Sequence, residues 1–167
     1  MGMRIGKGDT GTLTDAERTT GAERAAAQAI RTGVPALVPA AHPPTGAVAQ
    51  LPVLFDSGQS SRPLQWRPQV VGHVLRLSAR PRWTWSFGDG ATLTTQEPGG
   101  AWPQRSVAHA YRRAGAVGVT VRAEWAGEFT VDGLGPYPVR EPISQESRLP
   151  LQIGEGRAEL TRTAMAQ

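Results

Sequence analysis

Cysteine is absent from the 167 residues, which excludes disulfides and thiolate metal sites and leaves any core to hold without cross-links. Lysine is nearly absent. Lys7 is the single one, beside 17 arginines that run from Arg4 to Arg162 without forming a block. A nucleic-acid footprint needs its cations gathered on one face, so this scatter argues against nucleic acid as a partner. The net charge of +4 then reads as the composition of a GC-rich genome. No apolar run approaches the roughly 18 residues of a membrane span. The opening "MGMRIGKGDTGTL" carries basic residues but no apolar segment behind them, so it does not read as a signal peptide. The expectation is either a cytoplasmic protein or a chain that starts after a processing site or at a mis-set start. Aromatics are missing from the first fifty residues, and all five tryptophans lie between Trp66 and Trp125, which places the core there.

The enzyme classes also lack their ingredients. His42, His73 and His109 are dispersed, and no nucleophile is paired with any of them in the sequence. Ser57, Ser60 and Ser61 lie in a Gly/Ser turn without a nucleophile-elbow pattern. Glu124 and Glu128 flank Trp125 on a strand pattern and read as solvated rather than as a glycosidase pair across a cleft. The chain is therefore read as non-catalytic, without a cofactor. "GMRIGKGD" fails as a phosphate-binding loop, because its spacing is one residue short and Gly8 stands where Ser or Thr should hold magnesium.

What is present is 20 glycines and 14 prolines, which favour many turns and short elements. Residues 1–13 read as a disordered N-terminus. Residues 14–33 read as a helix, with Thr14 and Glu17 at capping-box spacing and Gly33 as its end. Its face is mostly alanine with a single Ile30, so it is expected to pack loosely or to belong to an interface with another subunit. Residues 34–47 hold four prolines and read as an extended connector. From residue 48 to about 160 the pattern turns to strands, and 161–167 form a tail. Val71, His73, Leu75 and Leu77 share one face of a strand that is expected to stop at Pro81. Trp83, Trp85 and Phe87 share one face of the next. Val117, Val119 and Val121 alternate likewise, and residues 126–139 read as a hairpin insertion. Short strands, frequent turns and no helices between them predict an all-β antiparallel sandwich.

"WTWSFGDG", Trp83 to Gly90, carries the most information. Three large aromatics on one strand face make a core wall, and Gly88, Asp89 and Gly90 then turn the chain. Asp89 is the one aspartate weighed as a cation ligand, and the reading favours a turn carboxylate, since calcium needs further oxygens. Together with the following "SVAHAY", Gly115 and the valine strand, this stretch resembles the PKD (polycystic kidney disease) domain. The matching residues are Trp85, Phe87, Gly88, Asp89 and Gly90, then His109, Tyr111 and Gly115. The chain departs from that pattern in a longer loop over 92–104. From about Ile30 onward it is also similar to small actinobacterial exported proteins with one such domain.

The resemblance implies an immunoglobulin-like β-sandwich, found mostly in extracellular proteins and used as an adhesion, spacer or carbohydrate-associated module. It implies His109 as a structural histidine beside Tyr111, whose position suits a tyrosine corner. It also implies a secreted or cell-surface location. The partner is then a protein or a cell-wall polysaccharide, met through loops, an edge strand or the N-terminal helix. Trp102, Trp125, Phe129 and Tyr137 form the candidate binding surface, with the reading that Trp102 plugs the end of the sandwich. The alternatives are a subunit of an intracellular or virion-type assembly, or an accessory carbohydrate-active enzyme.

Overall fold

The computed structural model describes residues 14–70 and 72–156. The expected disordered N-terminus, the tail and Val71 lie outside these residues. Helix α1 (Asp15–Gly33) starts at a full capping box. The Thr14 hydroxyl accepts from the Glu17 amide, and the Thr14 amide donates to the Glu17 carboxylate at 2.8 Å. Ala22, Ala26, Ala27 and Ile30 are buried, and their spacing puts them on one stripe of the helix.

Eleven strands follow in the described residues: β1 (Ala40–His42), β2 (Ala47–Val48), β3 (Pro52–Asp56), β4 (Leu64–Trp66), β5 (Gln69–Val70), β6 (His73–Ser86), β7 (Thr92–Thr95), β8 (Ala108–Ala110), β9 (Gly115–Val131), β10 (Leu134–Pro138) and β11 (Ile143–Gly154). A small sheet has the order β1-β3-β8. A large one has the order β2-β11-β9-β6-β4, with β10 beside β9 and β5 and β7 beside β6. All pairs are antiparallel except β2 with β11.

Three long strands organise the molecule. At about 3.3 Å per residue, β9 extends roughly 55 Å. Along β6 the odd-numbered residues from Leu75 to Trp85 are buried, and along β9 those from Val119 to Val131. One face of the large sheet is thus apolar from end to end, and two different elements cover it. The small sheet covers one half and encloses Phe55, Trp83, Trp85, Phe87, Tyr111 and Val121. Helix α1 covers the other half and packs on Leu75, Leu77, Trp125, Phe129 and Ile143.

Three expectations change. The residues 34–47 are not only a connector, because β1 pairs with β3 inside the sandwich. The helix is not a free docking element, since its alanine stripe is consumed against β6 and β9. Gly127 lets it come this close: a Cβ there would lie 2.4 Å from Ile30 Cδ1. The hairpin expected over 126–139 forms as the end of β9 with β10 folded back on it. Finally, β6 does not stop at Pro81. Its second side is paired with β4 up to Ala79 and with β7 from Trp83. The Val74 carbonyl accepts from the Asp132 amide, just beyond the end of β9, so even-numbered β6 residues bond towards β9 and Pro81 faces the gap between β4 and β7. A proline lacks only an N–H that would find no acceptor there.

Candidate functional site

The turn after β6 is built from the residues singled out in the sequence. Gly88 has φ +85°, and a Cβ on it would lie 2.7 Å from the Gly118 carbonyl oxygen of β9. Gly90 has φ +93° with open space around it. Between them Asp89 uses both carboxylate oxygens inside the chain: Oδ1 accepts from the Ala91 amide at 3.1 Å, and Oδ2 lies 2.7 Å from His109 Nε2. Partial burial would raise the Asp89 pKa, but the His109 hydrogen bond, the Ala91 amide and the His109 charge outweigh it, and the net shift is downward. The His109 ring stacks on Phe87 at 4.3 Å and meets the edge of Tyr111 at 4.8 Å. Tyr111 donates its hydroxyl to the Phe87 carbonyl at 2.9 Å. Burial, then the nearby Asp89 charge, pushes its pKa well up. The tyrosine thus ties to a strand end 24 residues upstream rather than to a local corner.

This cluster lies beside an open cleft of about 580 Å³ whose wall includes Arg112 and Arg113. No serine, threonine or lysine lines it among the described residues. A second His–Asp pair closes the β9–β10 turn: His73 Nδ1 lies 2.7 Å from Asp132 Oδ2, and Oδ1 accepts from the Val74 amide. The Val74 amide bond, then His73, holds the Asp132 carboxyl below its ordinary pKa. Among the described residues no group of three His, Asp or Glu could hold a metal ion.

The four aromatics of the candidate surface do not come together. Trp125 and Phe129 are buried under α1, and Tyr137 packs half-buried against Phe129 at 5.6 Å. The strand period was the available signal, because both residues are odd-numbered in β9, like Val119 and Val121, and so face the covered side. Trp102 corrects the reading in the opposite sense. It does not plug the sandwich; the residue is 67% exposed. Its loop is nevertheless fixed. The Gly100 amide donates to the Phe55 carbonyl at 2.9 Å, and the Ser57 amide to the Pro98 carbonyl at 2.8 Å. Gly99 lies so close to Phe55 that a Cβ would fall 1.9 Å from its oxygen. The Arg105 guanidinium carbon stands 3.9 Å from the Trp102 ring centroid, a cation–π contact.

Two features escaped sequence reasoning. The first is a polar seam between the two cores. Trp83 Nε1 donates to Gln59 Oε1 at 2.9 Å, and Trp125 Nε1 to Gln145 Oε1 at 3.2 Å. Gln59 Nε2 reaches both Gln145 Oε1 and the Pro35 carbonyl at 2.8 Å, and Gln145 Nε2 also donates to Pro35. A polar residue at an inward position of β11 was the available signal for Gln145; Gln59 in its turn had none. The second is the open face of the large sheet. Arginines scattered in the sequence gather there through the two-residue period: Arg76, Arg80 and Arg82 on β6, Arg122 on β9 and Arg148 on β11. Glu124 lies 3.8 Å from Arg82 and 3.6 Å from Arg122. Its backbone stands about 13 Å along the strand from that of Glu128.

No helix among the described residues is long and apolar enough to cross a membrane. No curated protein matches the sequence. The PKD domain matches residues 38–130, from just before β1 to the penultimate residue of β9, and leaves α1, β10 and β11 outside. With its aromatic strand, its Gly-Asp-Gly turn and its immunoglobulin-like sandwich inside a match of more than half its length, the chain belongs to the PKD domain family.

Proposed function

We propose that this protein is a non-catalytic binding module at the cell surface or in the medium, and that it associates with cell-wall polysaccharide through the loop that carries Trp102. The observation behind this reading is the exposed indole on a loop pinned to β3, with Arg105 against it. An exposed tryptophan on a rigid scaffold offers a stacking platform for a pyranose ring, and an adjoining guanidinium adds attraction for acidic sugars. The histidines support the non-catalytic part. His73 and His109 each pair with an aspartate at a turn, and among the described residues no serine, threonine or lysine nucleophile lines the cleft beside His109.

The test is co-sedimentation of the full chain with purified wall polysaccharide, in parallel for the wild type and Trp102→Ala. Wild-type binding that Trp102→Ala loses, with an unchanged melting temperature, is the expected result. No binding by the wild type, or equal binding by both, overturns the reading. Protease treatment of intact host cells tests the location: degradation is expected, and full protection overturns a surface placement.

A further inference from the structure

We propose that the free edge of β11 is the interface of a symmetric dimer, in which two copies join their large sheets antiparallel about Ser147. The inference goes beyond the polysaccharide reading and does not depend on it.

Strand β11 is paired along its length with β9, but on its other side only Ile153 and Gly154 are paired, with β2. Two bonds fix which backbone groups face that open side. The Val139 amide donates to the Gly127 carbonyl, so odd-numbered β9 residues bond towards the β10 and β11 side. The Ala49 amide donates to the Gly154 carbonyl, so even-numbered β11 residues bond away from β9. The outward-facing residues are therefore Ser144, Glu146, Arg148 and Pro150, all exposed. Among the described residues, no backbone group bonds to their amides or carbonyls. Pro150 fits this geometry, because its missing N–H falls on the open edge. An edge of this length with unmet donors and acceptors is a template for another strand.

The side chains select a second copy of the same strand. An antiparallel pair centred on Ser147 places Glu146 opposite Arg148 of the other copy, and Arg148 opposite its Glu146. Both residues bond outward, so this register is in phase for hydrogen bonding: each Glu146 amide meets an Arg148 carbonyl, and each Arg148 amide a Glu146 carbonyl. The neighbouring registers in the same phase put Glu146 opposite itself or Arg148 opposite itself, which like-charge repulsion disfavours. Pro150 receives the Ser144 amide on its carbonyl but offers none in return, which ends the ladder. A two-fold interface must be self-complementary in just this way.

Sedimentation equilibrium of the full chain, from micromolar to millimolar, tests the proposal. The wild type is expected to show a monomer–dimer equilibrium. Glu146→Arg and Arg148→Glu, each folded by circular dichroism, should each weaken it by about tenfold or more. The double exchange should restore it, and an equimolar mixture of the two single variants should form the mixed dimer. Slowed hydrogen exchange at Ser144, Glu146 and Arg148 should grow with concentration. A wild type that stays monomeric, a dimer indifferent to both single reversals, or protection independent of concentration overturns the proposal.

Discussion

Gly88 and Gly90 flank one aspartate and look interchangeable in the sequence, but they do different work. Gly90 is needed only for its positive φ, which costs another residue about 1–2 kcal/mol. Gly88 has the same backbone demand and also rests on the Gly118 backbone, which cannot move aside without disturbing β9. Gly90→Ala is therefore expected to lower stability by about 1 kcal/mol and Gly88→Ala by about 3 kcal/mol or more. Urea unfolding with an unchanged slope measures both. Asp89 makes the same turn sensitive to acid. Its folded pKa lies below its unfolded value, so its contribution is complete above pH about 4 and is lost as pH falls through the folded value. Asp89→Asn should lower stability at neutral pH and flatten the loss below pH about 4, as followed by thermal melts across that range. The acidic motif residue was legible because a turn between glycines announces itself. Its link to His109 was not, because a 20-residue separation becomes a contact only once β6 and β8 lie on opposite sheets.

At the scale of elements, alternation in the sequence marked the strand faces and the capping box marked the helix start. Both are local: each depends on residues within a few positions of one another, and the structure keeps them. What alternation could not show is what covers a face. The alanine stripe of α1 looks too small to pack, yet small residues are what allow a helix to lie close against β6 and β9, with Gly127 recessed beneath Ile30. Trp125 and Phe129 were misplaced for the same reason. Their parity pointed inward, but nothing in the β9–β10 hairpin hinted that a helix from the other end of the chain roofs it. Pro81 misled as a strand end, since only the arrangement of β4 and β7 along β6 reveals a gap that tolerates it.

On the scale of the whole molecule, the two cores are one structure. Strands β6, β9 and β11 pass through both, and the seam of Gln59 and Gln145 bonds a tryptophan from each to the same pair of amides. Ile30→Ala, a change wholly on the helix side, should cost about 2–4 kcal/mol. It should shift the entire unfolding transition rather than split it. Calorimetry reads this directly: equal calorimetric and van't Hoff enthalpies in both proteins are expected, and a separate low-temperature step for the helix half would contradict it. The unbroken strands also give the gene a kind of reading frame. Since one residue of slip turns every later side chain to the opposite face, removing a single codon within β9 would send the buried half of the strand into water and the charged half into a core. Length changes that survive in descendants of this sequence should collect in the turns, such as those at Asp89, Trp102 and Asp132, while the long strands keep a constant length even where their exposed letters drift.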